Sequence, residues 1–440
     1  MADQTQIVVI GAGFGGFQAA QSLANAKARV LLIDRNNYHT FVPLLYQVAT
    51  AQIEPTQIAF PVRTLLRRGK NLGFLAAEVE RVDFQTQQVH TNRAVIQYDY
   101  LVMATGSRTQ FLGVPGAAEY AFSMRSLAEA VTLRNHILSC FEAAIATSDT
   151  QERERLLTFA IVGGGATGVE VAGALVEWIQ GACRRDYPEL GNLRKLRQIT
   201  LPRVVLLQSG DSLLGDLPPR LGRYTDQRLR RLGVEVQMQT RVQQVTPAGA
   251  QLQSGQLLAS ATVIWTAGLE AAIPEVSTEL AAGTKGKLRV RPTLQLADHA
   301  NVYAIGDAAY VEHGGKALTG VAPEALQQGV AVARNLRRQI QGEAPRPFSY
   351  FNKGRLAIIG CYAGVGQVAG LSLTGPLPWL MWLAVHLVYL PGFRNRLLVL
   401  LTWLQGYVMG DRAVRLILPP HAAQTQPQDF PVSPQISSRR

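Results

Sequence analysis

Two glycine-rich turns about 150 residues apart govern what this chain can fold into. In the first, the apolar run Ile7-Val8-Val9-Ile10 leads into Gly11, Gly13 and Gly16. In the second, Phe159-Ala160-Ile161-Val162 leads into Gly163, Gly165 and Gly168. Each fits G-x-G-x-x-G between a strand-like run and a helix-like stretch. The first glycine permits the bend and the second lets the backbone approach a diphosphate. The third lets helix and strand pack closely, while the helix N-terminus stabilises the anion. One such turn is a weak signal. Two predict an α/β chain with two Rossmann-like dinucleotide-binding domains, and point to electron transfer between a bound flavin and a nicotinamide.

The rest of the chain repeats this plan. An acid, Asp34, ends the strand Arg29-Val30-Leu31-Leu32-Ile33, where its carboxylate can accept hydrogen bonds from ribose hydroxyls. In the second half Gln208 ends Arg203-Val204-Val205-Leu206-Leu207. Glutamine hydrogen-bonds without repelling a 2′-phosphate, so NADPH is open beside NADH. Asp211 is the alternative ribose acid. A buried strand ending in Ala104-Thr105-Gly106 is echoed by Trp265-Thr266-Ala267-Gly268, which sets Thr105, Gly106 and Gly268 beside the cofactors. Asn301-Val302-Tyr303-Ala304-Ile305 then returns the chain to the first domain and presents Gly306 and Asp307 to the flavin's ribityl or phosphate region. The expected division is 1–110 with 295–375 for FAD, and 111–294 for NAD(P)H. Helices are expected near 126–148, 166–180 and 323–341, with a polar linker near 148–156.

Glu170 falls in the first turn after the second glycine motif. It reads equally as a complement to the helix dipole and as a residue facing the nicotinamide riboside.

The chain has 440 residues and a net charge of +12. No recognition motif supports nucleic acid as the partner, which favours an anionic membrane surface. Its three cysteines, Cys140, Cys183 and Cys361, form no close pair or metal-ligand spacing. That spacing removes the disulfide reductases, which share the two-dinucleotide plan but need a redox pair. The apolar runs 377–390 and 397–409 are too short to span a bilayer. They carry Trp379, Trp382 and Trp403 and enclose Arg394 and Arg396, a composition suited to a membrane–water boundary at 376–418. His386 reads as a satisfied or interfacial histidine, and Arg194-Lys195-Leu196-Arg197 as a solvated loop. The residues after 418 read as a disordered tail, and no signal peptide precedes the first strand.

Together these residues resemble the type II NAD(P)H:quinone oxidoreductases. The resemblance rests on Gly-Ala-Gly-Phe-Gly-Gly at 11–16, Asn37-Tyr38-His39, Pro43-Leu44-Leu45-Tyr46-Gln47, Ala104-Thr105-Gly106, 163–170, Gly306-Asp307, Lys353-Gly354 and the Trp/His/Arg-rich tail. It implies a disulfide-reductase-like flavoprotein fold with FAD in the first site, NADPH or NADH in the second, and a membrane quinone meeting the flavin's opposite face. It implies that Lys353 sits near the flavin and that Leu44, Leu45, Pro323 and Gln327 border the quinone. It also implies a peripheral membrane protein on the cytoplasmic face of an inner or thylakoid membrane, with a homodimer left open. Where the family carries Ala-Gln-x-Ala-x-Gln, this chain has Ala322-Pro323-Glu324-Ala325-Leu326-Gln327. With Gln208, that departure resembles the cyanobacterial and plastid branch associated with NADPH and naphthoquinones such as demethylphylloquinone; plastoquinone is the other acceptor considered. Two rival readings are a sulfide:quinone oxidoreductase using Cys361, and a nucleotide-binding redox sensor of low turnover.

Overall fold

Buried β-branched and leucine-rich runs, each followed by a glycine turn, build two parallel sheets of the same design. The computed structural model describes residues 4–67, 69–190, 202–277, 283–409 and 414–417. In the first sheet Gln6–Ile10 (β1) lies between Arg29–Asp34 (β2) and Tyr100–Met103 (β3), with Leu72–Ala76 and Val302–Ala304 on the two edges. All its pairings are parallel, and Ile10 aligns with both Ile33 and Met103. In the second, Thr158–Val162 (β4) lies between Arg203–Leu207 (β5) and Thr262–Trp265 (β6), again parallel, with Val162 aligned to Leu207 and Trp265. Parallel strands covered on both faces read as continuous apolar runs, and every residue of β4 is buried.

The helices Phe14–Ser22 (α1) and Ala166–Arg185 (α2) leave the two glycine turns. Ala322–Ile340 (α3) runs beside α1, and Gly329 sits where a Cβ would meet the Gly15 carbonyl oxygen at 2.5 Å. The antiparallel strands Arg355–Ile358, Gly364–Val368 and Leu371–Gly375 follow. The chain then forms the helices Pro376–Tyr389 (α4) and Phe393–Leu404 (α5), joined by a tight turn.

Two expectations need correction. The segment expected to be a polar linker at 148–156 contains the helix Thr150–Leu156, whose N-terminal N–H groups of Gln151 and Glu152 donate to the Asp149 carboxylate. The return from the second domain also begins earlier than 295, because Glu275–Val276 pairs with Arg81–Val82 of the first. The basic stretch 194–197 and the tail beyond 418 lie outside the described residues. The long-helix expectations match Leu127–Ala146, α2 and α3.

Candidate functional site

The two glycine turns superpose in their chemistry. Gly11 adopts φ +100°, and a Cβ there would lie 2.3 Å from the Ala104 carbonyl oxygen, so no other residue fits. Gly16 and Gly168 lie against the carbonyl oxygens of Gly11 and Gly163, at 2.0 and 1.9 Å from an added Cβ. Gly13 and Gly165 differ from these: each precedes its helix in extended conformation, and a Cβ on either meets nothing within 4 Å. That open space, at the positive end of a helix, is room for a diphosphate.

The strand ends are equally matched. The Asp34 carboxylate accepts from the N–H groups of Ala12 and Asn36, each at 2.7 Å. Burial pushes its carboxyl above the usual range, and these hydrogen bonds oppose the shift. At the corresponding place Gln208 Oε1 accepts from the Gly164 N–H at 3.0 Å, while its Nε2 donates to the Ser212 carbonyl at 3.1 Å. Glutamate here would keep the acceptor, lose the donor and add a charge. Gln208→Glu is expected to lower kcat/KM with NADPH about tenfold more than with NADH, roughly 1.4 kcal/mol of discrimination. An equal loss for both in steady-state assays would overturn this role for Gln208.

A cavity of about 330 Å³ lies where the two domains meet. Its first-domain wall carries Gly13, Thr105, Gly106, Gly306 and Asp307, and its second-domain wall carries Thr167, Glu170, Trp265 and Gly268. Thr105 Oγ1 is buried there with no hydrogen-bond partner, an orphaned polar atom that a ligand would satisfy. The Arg125 guanidinium donates to the Ser107 hydroxyl at 2.5 Å and to the Asp307 carboxylate at 3.2 Å, and the Ser107 hydroxyl donates to Asp307 at 2.5 Å. The open cradle at Gly13, the orphan hydroxyl and the braced Asp307 fit a flavin dinucleotide extended along this wall.

Glu170 is the chemically distinctive group of the cavity. Its Oε1 accepts from the Ile358 N–H at 3.5 Å, and this bond and the polarity of the nearby Trp382 indole favour the charged carboxylate. Burial outweighs both and pushes the carboxyl up to about 8. Beside it the Tyr46 phenol is also raised by burial and by the Glu170 charge. Tyr46 accepts from Gln47 Nε2 at 3.0 Å, and Gln47 Oε1 in turn accepts from the Trp403 indole at 2.8 Å. The tail helix α5 therefore sends an indole N–H to the residue next to Tyr46, which borders the cavity.

A second, wider cleft of about 1100 Å³ meets the first at Phe14, which borders both. It holds Pro323, Gln327 and Lys353. Pro323 occupies the first turn of α3, where its missing N–H is not needed. The neighbouring Glu324 carboxylate caps that turn, accepting from the N–H groups of Gly320 and Val321 at 2.8 and 3.2 Å. The departure from the family's Ala-Gln pattern thus builds a helix start. Gln327 clamps the backbone of Phe351, donating to its carbonyl and accepting from its N–H, both at 2.9 Å.

Two residues lie outside the smaller cavity. Lys353 lines the wide cleft, where its amine donates to the Tyr389 hydroxyl at 2.8 Å. Leu44 is wholly buried in the core and lines neither space, whereas Leu45 borders the smaller cavity. Several residues went unrecognised in the sequence. Arg125 and Ser107 belong to no motif, and Thr167 and Trp265 fall inside motifs without being singled out. Gln328 accepts from the Gly306 N–H at 2.6 Å, and His39 donates through Nδ1 to the Ala12 carbonyl at 2.7 Å. Burial pushes the His39 imidazole down, which keeps it neutral as a brace for the first cradle. Its place in Asn37-Tyr38-His39 was the available signal.

A family model of the pyridine nucleotide-disulphide oxidoreductases matches residues 5–329. A type II NADH:quinone oxidoreductase of Mycobacterium tuberculosis is 34% identical over 417 residues, covering 90% of this chain and 87% of its own. The chain belongs to the type II NADH:quinone oxidoreductases. A structure of NDH2 from Plasmodium falciparum in complex with NADH shares the fold, with a TM-score of 0.84, 20% identity, and coverage of 94% of this chain and 100% of that one. The sulfide:quinone oxidoreductase of Aquifex aeolicus is more distant, with a TM-score of 0.64, 18% identity, and coverage of 89% and 91%. As a type II NADH:quinone oxidoreductase the chain departs from the disulphide chemistry in its superfamily's name. None of its three cysteines lines either space described above.

Proposed function

We propose that this chain oxidises NAD(P)H and reduces a membrane quinone through bound FAD, without pumping protons. The observation that carries this reading is the cavity walled by both nucleotide domains, which shares Phe14 with a second, wider cleft. FAD, when bound, takes a hydride from NAD(P)H and passes two electrons to a quinone. The chain's own residues bind, orient and protonate. Gly11, Gly13, Gly16 and Asp34 would hold the FAD diphosphate and ribose, with Thr105, Gly106, Gly306 and Asp307 along its length. Gly163, Gly165, Gly168, Gln208 and Gly268 would hold the nicotinamide dinucleotide. Glu170 would keep a proton at its carboxyl in the cavity wall, where quinone reduction needs one. Leu45, Pro323 and Gln327 would border the quinone, with a naphthoquinone or plastoquinone as acceptor.

Purified protein should be yellow, bleach anaerobically with NAD(P)H and recolour with a short-chain quinone. A flavin that stays oxidised under NAD(P)H would overturn the reading. Turnover below about 0.1 per second, against an ordinary range of about 1–10³, would favour the sensor instead.

Among the described residues no helix is long and apolar enough to cross a membrane. We infer peripheral docking on a cytoplasmic face through α4 and α5. Phe393 is 81% exposed and Val388 66%, with Leu377, Leu380, Leu400 and Leu404 also exposed beside them. A patch of this kind marks an interaction surface. Phe393→Asp with Leu400→Asp removes about 3 kcal/mol or more of apolar burial. This variant is expected to release the protein from lipid vesicles while leaving turnover with a water-soluble quinone near normal. Undiminished pelleting with vesicles would refute tail docking.

A further inference from the structure

The wide cleft is strongly biased in charge. Five cationic side chains line it, from Arg334, Arg337, Arg338, Arg346 and Lys353, and among the described residues no carboxylate does. Three of them are engaged. Arg337 donates to the Ser22 and Ala24 carbonyls at 2.6 and 2.9 Å, Arg338 pairs with Glu343 at 2.7 Å, and Lys353 donates to Tyr389. The guanidiniums of Arg334 and Arg346 are exposed and have no hydrogen-bond or ion-pair partner among the described residues. The segment that carries Arg346 is tied to the helix that carries Arg334. Asn335, next to Arg334, donates to the Arg346 carbonyl and accepts from its N–H, both at 2.9 Å.

The cleft is long and its walls are apolar. It follows α3 from Pro323 to Arg334, about 16 Å at 1.5 Å per residue. Phe17, Leu326, Val330 and Phe348 line it. At the Lys353 end it is edged by Tyr389 and Gly392, on either side of which lie the exposed Val388 and Phe393. Two unengaged guanidiniums at one end of an apolar trough suit a phosphate with hydrocarbon attached. Arginine forks bind phosphate oxygens in pairs, and basic clusters beside membrane-docking segments select anionic lipids.

We propose that the Arg334/Arg346 end of this cleft, beyond the Pro323 and Gln327 left to the quinone, seats one anionic phospholipid, its phosphate beside Arg334 and Arg346 and its acyl chains along Phe17, Val330 and Phe348. The proposal rests on the tail's docking to a membrane. The lipid fixes the protein's orientation on that membrane, because the headgroup site and the exposed tail face lie on separate elements.

The test is titration of the full-length flavoprotein with dihexanoyl-phosphatidylglycerol and dihexanoyl-phosphatidylcholine below their micellar concentrations. One phosphatidylglycerol should bind per chain, about tenfold or more tighter than phosphatidylcholine. Arg334→Glu with Arg346→Glu should abolish that preference. Arg93→Glu with Lys316→Glu, an equal charge change at exposed residues outside the cleft, should keep it. Equal binding of both lipids, or a preference surviving the Arg334/Arg346 reversal, would overturn the site. Competition by inorganic phosphate as effective as by the lipid would overturn the phospholipid in favour of a free anion. The titration needs no vesicle, so it succeeds or fails independently of the Phe393/Leu400 pelleting result, which judges tail docking.

Discussion

Gly165→Val should give a yellow, folded protein with full FAD content whose bleaching by NAD(P)H is slowed on the order of 100-fold or more. The expectation comes from space. The Gly165 backbone, at φ −73° and ψ −177°, is extended chain that valine adopts readily, and its Cβ would meet nothing within 4 Å. The new side chain therefore fits the protein but occupies the room for the second dinucleotide's diphosphate. Dithionite should still bleach the variant, and its thermal unfolding should match the parent. Gly13→Val supplies the converse. Gly13 has nearly the same geometry, φ −70° and ψ −171°, with the same open space. That variant should purify colourless. Bleaching of Gly165→Val at the parent rate would remove the second glycine turn from nicotinamide binding.

Glu170→Gln should lower quinone reduction at pH 7 by about 100-fold, within the usual range for loss of a general acid. It should also erase a pH dependence. Because the folded protein holds this carboxyl near 8, the acid form predominates at neutral pH. Parent activity should fall as pH rises through about 8, and the glutamine variant should lack that limb. Linkage gives a second readout. A carboxyl raised in the folded state binds its proton where the unfolded chain has lost it, so its contribution to stability declines as pH rises from the ordinary value of 4.5 towards 8. Glu170→Gln should therefore gain in melting temperature relative to the parent across that window and level off above it. Superimposable pH profiles for parent and variant would exclude Glu170 as the proton source.

Much of this architecture was legible because it is local. A glycine turn between an apolar run and a helix announces itself within about ten residues, and the chain does so twice. The helices 127–146 and 322–340 follow from periodicity in the same way. The helix 150–156 had a signal too, since Asp149 followed by Glu152 is a helix-start pattern. The site's remaining parts were hidden because they are assembled from distant segments. Arg125 reaches Asp307 across 182 positions, and Trp403 reaches Gln47 across 356. No spacing rule connects such residues. The Lys353–Tyr389 contact and the burial of Leu44 in the core are likewise set by tertiary packing.

The tail helices hold more than an outer face. The Trp403 indole donates to Gln47 at 2.8 Å, and Asn395 donates to the carbonyls of Thr56 and Gln57 at 2.9 and 3.0 Å. Clipping the chain before 376 to obtain a water-soluble enzyme would leave the buried Gln47 and the carbonyls of Thr56 and Gln57 without their partners. A soluble version is better made by repainting: exchange Leu397, Leu400 and Leu404 for polar residues, and leave the inward stripe of Asn395, Val399 and Trp403 untouched.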